Sequence, residues 1–341
     1  MANDTMGKRF PLLFLFLLFL LAAMAVISIS MGRYYIPPSS VVKILSSYFV
    51  SIPQDWPSQA ASVIYTLRLP RTAAAMLIGA ALSLSGASYQ SVFKNPLVAP
   101  DMLGVSSGAC VGASLAILFG ISQTGIEIGA FAGGLIAVSV AVAIPRIIGK
   151  NSIVMLVLSG IIVTGLMSSI LGIIKYVADA DTQLPAITYW QLGSLANVTA
   201  ENIGFSGTLI LLCLVFMMMI RWRLNILTLS DEEVHMLGKH NGWLRYGVIL
   251  CATILTASSV CLSGTIGWVG LVIPHFSRML VGPDNSRMLP VAVVFGALFL
   301  LFIDTISRAA LQAEIPLSIL TGLVGAPFYF YLLVRQRLQL S

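Results

Sequence analysis

Long apolar runs with no charge inside them constrain this chain more than any other feature. The first, from Phe10 to Ser30, holds neither an acidic nor a basic residue, and comparable runs recur to the C-terminal end. About 18 or more apolar residues suffice to cross the hydrocarbon of a bilayer as a helix. In that solvent the backbone must satisfy its own hydrogen bonds, so helix is the expected element. Only 9% of the 341 residues are charged, against roughly 25% in an ordinary soluble domain. Too little polar surface is available to face water on all sides.

The pattern predicts an all-α integral membrane protein in a single domain, 1–341. About ten transmembrane helices are expected, near 10–30, 72–93, 97–119, 126–148, 152–175, 203–220, 243–263, 264–281, 288–307 and 315–334. The first run follows Lys8-Arg9, as a secretory signal would. Such signals have a shorter apolar core, about 7–15 residues, so it is read as a span. Two spans are interrupted. The third begins at Asn95-Pro96 and Pro100-Asp101, and the eighth contains Pro274, His275 and Arg278. Proline breaks or shortens helices, and non-helical backbone at membrane depth must be buried in protein or line a cavity. Gln90, Asn95, Pro96, Pro274 and His275, at or beside these interruptions, are candidates for a pathway or gate.

Ten spans put both termini on one side. With that side as the cytoplasm, all 19 Lys and Arg fall inside except Arg33, Lys43, Arg68, Arg71, Lys175 and Arg308, as the positive-inside tendency requires. The net charge of +6 is scattered singly or in pairs between apolar runs, which suits orientation and not nucleic acid. Cys110, Cys213, Cys251 and Cys261 all lie inside apolar runs, so neither a disulfide framework nor metal spacing is present. An internal repeat is suggested by Leu84-Ser85-Gly86, then Pro96 and Gly104, matched at equal offsets by Leu262-Ser263-Gly264, Pro274 and Gly282. The two copies would run in opposite directions, as in inverted-repeat transporters.

The phosphate-binding pattern G-x-x-x-x-G-K-[ST] is missing. Gly238-Lys239 lacks the upstream glycine and the following Ser or Thr. Energy for transport would therefore come from a partner or an ion gradient. The inside loop 221–245 contains Ser230-Asp231-Glu232-Glu233, a capping box, then Val234, Met236 and Leu237 on one side and Gly238 as a stop. That describes a short amphipathic helix over about 230–238, fit to dock into a partner's groove; a loop helix with no partner fits the pattern equally. Outside, Arg68, Arg71 and Arg308 run against the positive-inside bias. They suit an acidic docking surface or an anionic solute, while snorkelling or an i,i+4 pair of Arg308 with Asp304 explains them as well. Intramembrane ionisable residues are few, which disfavours an ion-driven carrier, and the three histidines are too dispersed for an intramembrane enzyme.

Several stretches resemble the FecCD-type permeases. They are Arg68-Leu69-Pro70-Arg71, Gly79-Ala80-Ala81-Leu82, Ser85-Gly86, Gln90, Asn95-Pro96-Leu97, Leu103-Gly104-Val105, Gly264-Thr265-Ile266-Gly267, Val269 through His275, Asp304, Arg308, Glu314-Ile315-Pro316 and Gly325-Ala326-Pro327-Phe328. The resemblance implies the type II ABC importer fold in a prokaryotic inner membrane, with two permease copies around one pathway. It implies two ATPase subunits carrying ATP and Mg²⁺, an extracytoplasmic binding protein, and no cofactor or metal on this chain. The cargo would be an iron–siderophore complex, haem, cobalamin, or an oxyanion such as molybdate. Under the resemblance Ser230–Gly238 becomes the ATPase-coupling helix, and Arg68, Arg71 and Arg308 meet acidic residues of the binding protein. Trp268 departs from the family's usual Phe.

Overall fold

The structure is a computed structural model that describes residues 2–149, 152–229, 233 and 242–340. Among them every regular element is helical. In chain order they are α1 (Ala2–Ser30), α2 (Pro38–Ser46), α3 (Ser58–Ser62), α4 (Leu69–Val92), α5 (Val105–Leu118), α6 (Gln123–Ile148), α7 (Ile153–Val177), α8 (Gln183–Leu192), α9 (Ala200–Met219), α10 (Leu224–Leu227), α11 (Gly242–Ser263), α12 (Val269–Val281), α13 (Asn285–Ala309) and α14 (Leu317–Leu340). A π-helical segment, Val63–Arg68, joins α3 to α4 without a break.

Each of the ten predicted spans meets one of these helices. Seven are long and apolar enough to cross a bilayer alone, and α5, α12 and α14 supply shorter apolar stretches. The interrupted spans differ from expectation in where they start. The third begins at Val105, because 93–104 is a non-helical stretch of turns. The eighth begins at Val269, after a non-helical 264–268. Pro274 does not break it. It lies within α12, and the Gly270 carbonyl that a residue-274 N–H would have served accepts instead from Gln90 Nε2 at 3.5 Å.

The bundle is organised around α4 and α11, which pack on each other. Of their apolar windows 83% and 72% is buried, against 17% for α1 and 22% for α7. Large apolar side chains left bare on the outer helices, such as Phe19 on α1, Ile173 on α7 and Leu212 on α9, suit lipid contact. The packing is reciprocal: α4 lies against α12 and α13, and α11 lies against α5 and α6. The two sets, α4 to α7 and α11 to α14, each open with a deeply buried helix, a break and a short helix. By alternation α4 and α11 cross in opposite directions, so the fold is an inverted repeat. Its register is not that of the Leu-Ser-Gly match. Gly86 lies mid-helix in α4, whereas Gly264 follows the end of α11 at φ 69°.

Close approach explains two glycines in particular. A Cβ on Gly86 would stand 1.8 Å from the Gly270 oxygen, and one on Gly296 would stand 2.4 Å from the Gly79 oxygen. Small residues let helix backbones touch where lipid offers no hydrophobic drive for association. A second, smaller apolar cluster (Ile29, Ile36, Val41, Ile44, Ala60, Ile64) seats α2 over the end of α1 and the start of the α3–α4 rod.

Candidate functional site

At the face where α1 ends, the three arginines turn inward. The last carbonyls of a helix lack intrahelical partners and attract cations. Arg68 donates to the carbonyls of Ile29, Ser30 and Tyr34. Arg308 donates to the Ser28 carbonyl, to Ser28 Oγ at 2.6 Å and to the Met31 carbonyl at 3.0 Å. Arg71 is gripped from two sides. Its Nη2 lies 2.9 Å from Asp304 Oδ1, and its Nη1 lies 2.7 Å from Glu314 Oε1. The expected Asp304–Arg308 pair is present at 3.4 Å. Arg68 is only 7% exposed, so this conformation offers it to no outside carboxylate.

Beside this network a cavity of about 550 Å³ opens. Its walls are the α5–α6 turn, α8, the 193–197 stretch, the end of α11 and Glu314-Ile315-Pro316. Backbone contacts hold these walls together: Ser194 N–H to Ser263 O (2.8 Å) and Leu317 N–H to Gly193 O (3.0 Å). Thr265 Oγ1 donates to Gln191 O at 2.6 Å. Gly193 and Gly264, both at positive φ, permit the approach; a Cβ on Gly264 would meet the Trp190 oxygen at 2.1 Å. Gln123, Ser194, Asn197, Ser263, Tyr189 and Trp190 line the space with no Lys, Arg or His. The sequence reading missed α8. Its ten residues are too short and mixed to stand out beside membrane spans.

In the middle of the bundle α4 and α11 are stitched by hydroxyls. Ser85 Oγ donates to Ala252 O at 2.8 Å and lies 2.7 Å from Thr256 Oγ1, and Tyr89 Oη lies 2.9 Å from Thr253 Oγ1. Gln90 ties the first break to α12. It donates to Val98 O at 3.2 Å and accepts from Arg278 of α12. Asn95 closes a local turn by accepting from the Leu97 N–H at 2.9 Å. Asn95 and Pro96 are exposed, His275 is half-buried, and Pro274 is buried. Gln90 therefore touches the first interruption and the helix that follows the second, while Asn95 and Pro96 lie on the surface of the first.

At the opposite face the loop leading to the predicted coupling helix is anchored. Leu224 and Leu227 of α10 are buried. Asn225 donates to Asp284 Oδ1 at 2.7 Å and accepts from the Asn285 N–H at 2.8 Å. Burial raises the Asp284 carboxyl, but bonds from the Ser286 N–H and Asn225 outweigh it and hold the group below the usual carboxylate range. Of the predicted helix itself, Ser230, Asp231, Glu232, Val234, Met236, Leu237 and Gly238 lie outside the described residues; Glu233 is helical. Among the described residues no three His, Cys, Asp or Glu side chains come together as a metal site.

A bundle of apolar helices, with two interrupted ones meeting at its centre and a cavity at one face, defines a multi-pass membrane permease. Comparison with known proteins makes the class specific. The FecCD transport family matches residues 20–335, and the chain belongs to that family of ABC importer permeases. It is 38% identical over 326 residues to the molybdate import system permease protein MolB of Haemophilus influenzae, covering 96% of each chain. It is 37% identical over 283 residues to the hemin transport system permease protein HmuU of Yersinia pestis, covering 81% of this chain and 84% of that one. A solved structure of a metal-chelate type ABC transporter in an inward-facing conformation superposes with TM-score 0.85 at 38% identity, covering 95% and 99%. The chain is thus a transport subunit and not an enzyme, with the type II importer fold.

Proposed function

We propose that this permease carries a metal chelate of the iron–siderophore, haem or cobalamin kind into the cytoplasm by alternating access. The cavity at the face where α1 ends carries the reading. Its volume of about 550 Å³ falls within the range of small-molecule sites, roughly 300–1,000 Å³, and far exceeds a tetrahedral oxyanion. Its lining offers amide and hydroxyl groups and two aromatic rings but no cation, which suits a bulky chelate better than a small bare anion. An oxyanion is the second reading, favoured by the molybdate permease among the relatives.

In this scheme the cavity faces outward and both termini lie in the cytoplasm of a prokaryotic inner membrane. A second permease copy completes the route. Two ATPase subunits hold ATP and Mg²⁺ and push through the Ser230–Gly238 segment. Gln90, Asn95, Pro96, Pro274 and His275 line or flank the path between the breaks. An extracytoplasmic binding protein docks on the rim organised by Arg68, Arg71 and Arg308; its carboxylates would have to exchange with the internal partners described above. Docking through these guanidiniums predicts binding that weakens with salt and a shallower salt slope in Arg71→Ala. An unchanged slope assigns them to holding the rim alone.

The function is tested by reconstituting the permease with its ATPase and binding protein in liposomes and measuring uptake of ferric siderophore, haem, cobalamin and molybdate. ATP-dependent uptake of a chelate is expected. Uptake of molybdate alone would select the second reading, and uptake without any ATPase would remove the ABC mechanism.

A further inference from the structure

The break between α11 and α12 is built around one strained residue. Trp268 sits at φ 69°, ψ −34°, a region that a bulky side chain rarely enters. It is the central residue of a γ-turn closed by the Val269 N–H on the Gly267 carbonyl at 2.8 Å, the positive-φ form of that turn being rare and strained. Backbone held in such a state points to a functional constraint when its surroundings over-determine it, and here they do. The indole lies in a cradle on α14. A Cβ on Gly325 would come within 2.6 Å of Trp268 Cβ and 2.8 Å of its Cγ, and Gly322 lies beside Nε1. Tyr329 meets the indole edge-on, with ring centroids 6.5 Å apart. Its hydroxyl is buried and finds no hydrogen-bond partner among the described residues. Below the break, Phe276 of α12 stacks on Phe328 of α14 at 4.0 Å, which ties the short helix to α14.

The depth of this residue matters. Gly325 lies eight residues into α14, about 12 Å below its first turn at 1.5 Å per residue. The break therefore descends from the cavity floor, where Gly264 stands, into the membrane interior. Gly267 and Trp268 are nevertheless exposed. Non-helical backbone cannot face lipid at that depth and must line a cavity or another protein surface. We propose that Trp268 is the aromatic gate of the translocation route, closing the path beneath the outer cavity, with Gly322 and Gly325 forming the seat in which the indole rests. Movement of the indole out of the seat opens the path and frees the Tyr329 hydroxyl to meet cargo or water. This gate rests on the permease reading above.

The test uses the complete transporter in liposomes preloaded with the chelate that supports uptake. Without ATP, Trp268→Ala should raise passive leak about tenfold, the shift that loss of one aromatic contact supports, while Trp268→Phe stays near wild type. Gly325→Val, which fills the seat, should leak like Trp268→Ala, and the double variant should leak no more than either. Leak at the wild-type level in Trp268→Ala, or additive leak in the double variant, overturns the gate. A second measurement does not depend on those variants holding a seal. Trp268→Cys, in a background with the four native cysteines replaced by Ala, should react with a water-soluble maleimide in one nucleotide state and be protected in the other. No labelling in either state places residue 268 away from the aqueous route and overturns the proposal. ATP-driven uptake by the wild type in the same liposomes separates these failures from a failure of the permease reading.

Discussion

Asp304 is fully buried yet ionic, and it holds two guanidiniums at once, Arg71 at 2.9 Å and Arg308 at 3.4 Å. Removing one partner of a buried pair strands the other charge, at a cost of about 3–5 kcal/mol. Glu314 also grips Arg71, but its side chain is 36% exposed where that of Asp304 is fully buried, so solvent offsets more of its loss and brings it nearer the ~0–1 kcal/mol of exposed pairs. Asp304→Asn is therefore expected to lower the thermal midpoint of the detergent-solubilised protein by many degrees. Glu314→Gln should change it little, and equal shifts would show that burial does not set the strength of this network. Part of it was legible: the four-residue spacing of Asp304 and Arg308 predicts their pairing. The grip of Arg71 by Asp304, and of the α1 carbonyls by Arg68, was not. Each joins residues far apart in the chain, and nothing local in a sequence records which helix end a guanidinium will find.

Glycine seams and helix ends decide how the elements meet. A Cβ on Gly296 would stand 2.1 Å from Ser83 Oγ and 2.4 Å from the Gly79 oxygen, so Gly296→Ala must part α13 from α4. Overpacking of this kind costs about 1–3 kcal/mol, and reduced yield of folded protein on size-exclusion chromatography is the expected readout. Asp284 serves another seam. It caps α13 through the Ser286 N–H at 2.9 Å and holds Asn225. Its folded-state pKa lies below the unfolded value, so its contribution is complete above the unfolded value and fades as pH falls through the folded one. The thermal midpoint of the wild type should therefore lose its margin over Asp284→Asn below about pH 4; a margin constant down to pH 2 would deny the carboxylate this role. At this scale the long apolar helices were legible because bilayer thickness imposes one length on all of them. The first break was legible in Asn95-Pro96 and Pro100, but the second was not: 264–268 holds no proline, Pro274 lies inside α12, and Thr265 is held instead by the distant Gln191 carbonyl. The helices α2 and α8 escaped notice for want of length.

Across the whole molecule, a reciprocal pair of half-bundles meets at the α4–α11 crossing, and in the proposed scheme the push from the ATPase enters at the face opposite the cavity. In that scheme it arrives beside α10. Leu224 and Leu227 are buried, and Asn225 is pinned to the start of α13 by Asp284 and the Asn285 N–H. Asn285 in turn lies 3.4 Å from Ser91 Oγ at the end of α4. A force applied to the segment after Leu229 thus reaches both halves of the repeat through one short chain of bonds. Two lesions should then uncouple in distinct ways. A glycine or proline placed within 233–237 weakens the coupling helix proposed there, at about 1 or 3 kcal/mol, and should leave ATP hydrolysis running while uptake falls. Asn225→Ala leaves the proposed coupling segment unaltered but cuts the bonds of α10 to Asp284 and Asn285, and should lower the uptake obtained per ATP without changing the binding of ATPase subunits. Measured together in proteoliposomes, hydrolysis and uptake separate the cases. Tight coupling in Asn225→Ala would mean that the push enters the bundle by another route.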